Sequence, residues 1–423
     1  MDIKEKRIIE VVNTLKDDIF DFTSRLVSKA STLGNETEAV CVMEEELRKL
    51  SFEPVKIPID ATELSKHPGY APVEWEYNNK ENVVATRKAS GHGGRSALFN
   101  GHLDVVSAEP SSFWARDPFN PVIFDGWLYG RGAGDMKSGV AAMTYAAYAI
   151  EKSGFGLKAP VTIQGVIEEE CTGNGALACL NAGYDADAIL IPEPWGPTIL
   201  TNQVGVLWFK VLVQGAASHV QSTSSGANAI EKCFLIISAL RGFEDELNKP
   251  EGIPKAYSTI PHPLNLNIGV IKGGDWPSTV PASAEFHCRI SFFPGVSFDD
   301  MRQKIIQTIQ KIAEKDTWLH KIPPKIEFYG FRSPGHSISR DIPALQTLND
   351  CHKELTGEDA KEYISTCTTD LRVFHLFGKG QATCYGPIAE NIHAANERVN
   401  LESIINVAET YALFLSRWCG LIE

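Results

Sequence analysis

Apolar residues recur every three or four positions over residues 6–30 and 36–50, the period of helices with one buried face. Shorter runs follow, and residues 82–86 and 96–106 read as strands joined by a turn at 90–94, Ser-Gly-His-Gly-Gly. Helical period returns at 138–153 and 173–182, and uniformly apolar strands are expected at 159–169 and 186–192. Strands alternating with helices imply a largely parallel sheet covered on both faces. From residue 206 the order changes to strand 206–214, helix 227–241, strands 264–272 and 284–293, helix 298–315 and a strand at 325–329. That βαββαβ order is the split-βαβ pattern of a small α+β sandwich. Helical period resumes at 344–355, so the first domain is expected to be discontinuous, with parts at 1–205 and 331–423 around an insert at 206–330. The fold class expected is α/β: a mixed, largely parallel sheet between helices, with an inserted ferredoxin-like unit.

Composition narrows the function. The chain has 423 residues, and 40 Lys and Arg against 53 Asp and Glu leave a net charge of −13. Such a surface repels phosphate backbones, so no nucleic-acid partner is expected. Residues 1–22 are charged throughout and read as an amphipathic helix, not a signal peptide. No apolar stretch approaches the roughly 20 residues that span a bilayer. Nine cysteines without a C-x-x-C pair point to a reducing, cytoplasmic setting.

The glycine-rich stretch from Gly130 to Lys137 is not a phosphate loop, because Met136 precedes the lysine, nor a dinucleotide fingerprint, because Asp135 replaces the last glycine. No G-x-S-x-G elbow or H-E-x-x-H helix is present. What stands out is a set of carboxylates and imidazoles at the ends of apolar strands. His102 and Asp104 lie two apart on one strand and share a face, so the carboxylate could orient the imidazole. Taken alone, the pair is equally a polar strand end with a buried, hydrogen-bonded histidine. Glu168, Glu169 and Glu170 end the run 161–167, where a solvated acidic turn is the plainer reading. Glu193 ends the next strand. With Asp135 and His393 these residues form a donor set suited to a pair of zinc-like ions.

In order along residues 97–400, Gly101-His102-Leu103-Asp104, the Gly130–Lys137 stretch, Glu169-Glu170, Glu193-Pro194, Ser218-His219 with Asn228-Ala229, Thr369-Asp370 and His393 with Asn396-Glu397 resemble the M20 metallopeptidase family. The resemblance implies two divalent ions, zinc first, with cobalt or manganese as alternatives. His102 and Glu193 would hold one ion, Glu170 and His393 the other, and Asp135 would bridge them, with a cis peptide after it. Glu169 is then the general base that activates a metal-bridging water, Asp104 the partner of His102, and His219 a lid residue that reaches the neighbouring subunit's site in dimeric members. Arg289, Arg372 and Asn267 are candidates for substrate binding. Packing or an ion pair would equally explain Arg372, and a structural role would equally explain Asn267. Two departures bear on specificity: Thr279 stands where many members have Asn, and residues 57–79 look like an insert, read as a surface or pocket-rim loop. Trp114, Trp195 and Trp276 could line an apolar pocket or simply pack.

The expected activity is metal-dependent removal of an acyl group from an N-acyl amino acid, in the style of acetylornithine deacetylase. The alternatives are a dipeptidase or carboxypeptidase, a deformylase or aminohydrolase acting on an aromatic or heterocyclic amine, and a catalytically silent binding relative. A small-molecule substrate, no membrane partner and a homodimer through the lid complete the expectation.

Overall fold

A computed structural model describes residues 1–422. The N-terminal helical region is two helices, Ile3–Thr14 and Lys16–Val27, not one, because the chain leaves helical geometry at Leu15. Asp2 caps the first helix in a reciprocal box with Glu5, and Ile8 and Val12 turn its apolar stripe inward.

The main sheet has six strands in the order Pro54–Pro58, Glu81–Arg87, Val161–Val166, Ala97–His102, Ala188–Ile191, Gln381–Cys384. The last four run parallel, and the first two are antiparallel to their neighbours. Strands Ala97–His102, Val161–Val166 and Ala188–Ile191 are buried at every position, as continuous apolar runs require when helices cover both faces. The strands flanking the 90–94 turn are not partners, since Val161–Val166 lies between them. Helices Ser138–Lys152 and Leu401–Trp418 pack together within the large core.

Parallel register sets the site. His102 lies opposite Val166, so the chain just beyond one strand end carries Glu168, Glu169 and Glu170 beside the imidazole at the end of the other. Ala97 lies opposite Ala188, which brings the segment carrying Glu193 to the same edge.

A second, antiparallel sheet orders its strands Leu266–Gly273, Ser283–Phe292, Gly205–Gln214, Lys325–Ser333. Helices Ala229–Leu247 and Phe298–Ala313 pack against each other, and Phe209, Ile236, Phe286 and Ile305 belong to a core separate from the large one. The chain enters and leaves this unit through neighbouring strands, for Gln203 pairs with His336.

Candidate metal centre

Asp135 occupies the middle of the site. Its Oδ1 lies 3.0 Å from His102 Nε2 and its Oδ2 3.3 Å from His393 Nε2. His393 Nε2 is also 3.1 Å from Glu170 Oε1. One ligand atom each from His102, Asp135 and Glu170 falls within 4.8 Å of the others. The peptide from Asp135 to Met136 is cis.

Glu169 and Glu193 are 6% and 3% exposed, and each leaves a buried Oε1 without a hydrogen-bond partner. Burial raises the pKa of both well above the usual carboxylate value; the charge of His102 opposes this in both, while Asp135 adds to it at Glu193. Burial also works against charge on Asp135, yet its hydrogen bonds to His102 and His393 hold it below the usual range. Glu170 pushes His393 up to about 11, and for His102 the bond and charge of Asp135 outweigh burial and raise it.

Two imidazoles thus face Asp135, Glu169, Glu170 and Glu193. A set with more carboxylates than cations, buried at His102, Glu169 and Glu193 and half-exposed at His393, with two carboxylates keeping an unpaired oxygen, matches the donor chemistry of hard-to-borderline divalent ions. On that ground the residues fit a metal pair.

Asp104 differs from the simple orienting role. His102 Nδ1 bonds its backbone carbonyl at 2.9 Å, while its carboxylate stands 3.7 Å from that nitrogen. The carboxylate instead accepts the backbone N–H groups of Glu169 (3.3 Å) and Glu170 (3.1 Å), so it ties the acidic turn to the His102 strand. Burial lifts its pKa to about 7.

The loop presenting Asp135 is built around Glu397, which sequence reasoning left without a role. Its fully buried carboxylate accepts Arg131 Nη1 at 2.6 Å and the backbone N–H groups of Gly132, Gly134 and Asp135 at 2.9–3.1 Å. Gly132 has φ +80, and a Cβ on Gly134 would sit 2.5 Å from that of Ala389. Lys137, fully buried, donates to Leu26 O and Lys29 O at 2.9 Å and fixes the loop's far end.

The remaining predicted residues are dispersed. Arg372 donates to Thr369 O (2.7 Å) and Thr172 O (2.6 Å) and lies over Phe331, contacts in keeping with the packing alternative. Arg289 is partly buried with a single long bond to Thr366 O (3.4 Å), and desolvation lowers its pKa. Asn267 is exposed on strand Leu266–Gly273. His219 is also exposed; its Nδ1 accepts Gln221 N, its backbone bridges to Thr279, and among the described residues no hydrogen bond joins it to the cluster. Trp114 donates to Ala108 O, Trp276 is 67% exposed, and Trp195, two residues beyond Glu193, stacks on Tyr363.

The motif around His393 already contained Glu397, and its spelling was the available signal.

Comparison with known proteins shows the family. The N-formyl-4-amino-5-aminomethyl-2-methylpyrimidine deformylase of Halalkalibacterium halodurans is 27% identical over 375 residues, covering 82% of this chain and 85% of that protein. The acetylornithine deacetylase of Salmonella arizonae is 31% identical over 238 residues, covering 56% and 60%. Among solved structures, the di-peptidase Dug1p of Saccharomyces cerevisiae superposes with a TM-score of 0.81 at 15% identity over 99% of both chains. The metallo-carboxypeptidase Sso-CP2 of Sulfolobus solfataricus does so at 0.71 and 18%, again over 99% of both. At such identities the structural likeness speaks for the fold alone. The model of peptidase family M20/M25/M40 matches residues 98–417, most of the chain and all of the metal-centre residues, and the chain belongs to that family.

Proposed function

We propose that this chain is a metal-dependent amidohydrolase that removes a small acyl group from an amine. The observation that carries this reading is Asp135 set between His102 and His393, with the buried, unpaired Glu169 Oε1 in the same cluster. His102 and Glu193 would hold one ion, Glu170 and His393 the other, and Asp135 both. When bound, two divalent cations, zinc by first choice, supply Lewis acidity that polarises the amide carbonyl and acidifies a water. Glu169 would take the proton of the attacking water and hand it to the leaving amine.

Arg289 favours an N-acyl amino acid, because a partly buried guanidinium with spare donors suits a substrate carboxylate. A second reading, an N-formyl heteroaromatic amine, draws on the likeness to the pyrimidine deformylase and on the Trp195–Tyr363 stack beside Glu193, a flat aromatic surface. The unit at 206–330 would act as lid and dimer contact. Its edge strand Leu266–Gly273 is unpaired on one side and exposes Val270 and Ile271. A partner's His219 could then donate to the charge developing on the carbonyl oxygen. Nine free cysteines fit a reducing cytoplasm, and among the described residues no helix is long and apolar enough to cross a membrane.

The test is to strip the protein with chelator, restore Zn²⁺, Co²⁺ or Mn²⁺, and measure amine release from N-acetyl, N-formyl and N-succinyl amino acids, dipeptides and an N-formyl aminomethylpyrimidine. Turnover that requires metal and disappears in Glu169→Gln is the expected result, and the preferred substrate separates the two readings. Failure to bind metal would overturn both. Ile271→Lys is expected to shift sedimentation from dimer to monomer.

A further inference from the structure

Glu168 stands one residue before the proposed base, fully buried, with φ +68, a left-handed backbone that a non-glycine residue adopts only when its surroundings impose it. Those surroundings come from the insert together with Thr172 and Asn174. Trp75 Nε1 donates to Glu168 Oε1 at 2.6 Å, and Tyr77 OH donates to Oε2 at 2.7 Å, where Thr172 Oγ1 also donates at 2.8 Å. Asn174 closes the network: its Nδ2 donates to Tyr77 OH and Ala71 O, both at 2.8 Å, and its Oδ1 accepts Ala71 N at 3.0 Å. The same short segment also touches the inserted unit. Pro72 O accepts Gly330 N at 2.7 Å, and Glu74 pairs with Lys210, which also pairs with Glu327.

We infer that Glu168 is a positioning residue for Glu169, and that residues 71–77 transmit the placement of the inserted unit to it through Trp75 and Tyr77. Seven consecutive residues thus join a strand of the antiparallel sheet to the turn that aims the base. The insert is therefore part of the machinery and more than a pocket rim. Both oxygens of Glu168 are spent on fixing a strained backbone, so it has none to offer a substrate. The role of Glu169 as base is taken from the proposed amidohydrolase reading; the positional coupling is independent of it.

The test uses the full chain loaded with metal, comparing wild type with Tyr77→Phe, Trp75→Phe, Lys210→Met and, as a control on an exposed position of the segment, Glu76→Gln. Tyr77→Phe and Trp75→Phe are expected to lower kcat about 10-fold with KM within about twofold, since small misplacement of a reacting group is costly. Metal content and Tm should hold, and amide hydrogen exchange at 168–172 should quicken. Lys210→Met should quicken exchange at both 71–77 and 168–172. Exchange at 168–172 unchanged in Tyr77→Phe, or a kcat loss that only tracks lost metal and lowered Tm, would overturn the positioning role. Quickening confined to 71–77 in Lys210→Met would overturn the transmission. If wild type hydrolyses nothing on the panel, the amidohydrolase reading falls, and the exchange data still decide the coupling.

Discussion

Two buried charged clusters share the loop from Gly130 to Lys137, and they are built on opposite terms. Around Glu397 both carboxylate oxygens are filled, by Arg131 and by three backbone N–H groups. Around Asp135 the carboxylates outnumber the imidazoles, and Glu169 and Glu193 each keep an unpaired oxygen. A satisfied buried pair rigidifies a loop; an unsatisfied set is held ready for a cation or a proton. The contrast teaches which acids to assign to chemistry, because burial alone does not distinguish Glu397 from Glu169.

The sharpest way to test the contrast is Glu169→Gln. Rate should fall by about 10²–10⁴, the usual contribution of a general base, while the metal-free protein melts close to wild type, because glutamine keeps the shape of the side chain and Glu169 Oε1 has no protein hydrogen bond to lose. Equal loss of folding stability would place Glu169 with Glu397. Glu397→Ala should do the reverse, costing about 3–5 kcal/mol in urea unfolding by stranding Arg131 in the interior. A mild effect there would break the comparison from its other side.

His336 supplies the smallest and most discriminating case, since it too is buried with both ring nitrogens unpaired, yet it stacks on His375 and is not among the residues that cluster around Asp135. Burial, then the charges of His375 and Arg372, lower its pKa to about 3. The folded state keeps it neutral while the unfolded chain takes a proton near pH 6.5, so its contribution is present above pH 6.5 and lost as pH falls toward 3. Stability should drop by about 2 kcal/mol between pH 6.5 and 5 from this group, and His336→Leu should remove that part of the slope without touching kcat. A change in kcat would mean that an orphaned imidazole here also serves the reaction.

Much of this was legible in the chain. The strands at 159–169 and 186–192 announce themselves because a strand buried on both faces must be apolar throughout, and acids at their ends then stand out. Helix Leu401–Trp418 was not read from the chain although its apolar positions do recur at helical period: Ile404, Tyr411, Phe414 and Trp418 are buried, and Glu402 and Asn406 are its exposed positions. Arg372 stayed open between two roles, since a guanidinium looks the same in sequence whether it meets a substrate or two backbone carbonyls.

Sequence by itself determined the alternating architecture, the inserted βαββαβ order, the family and the residues from which a metal centre could be made, because periodicity and motif spelling are local properties. Tertiary structure decided which strands neighbour which, that the Asp104 carboxylate ties the acidic turn while its backbone carbonyl meets the His102 ring, and that Trp75 and Tyr77 reach Glu168 about 90 residues away. Hydrogen bonds at such separations depend on how the sheet orders its strands, and no local pattern in the chain records that order.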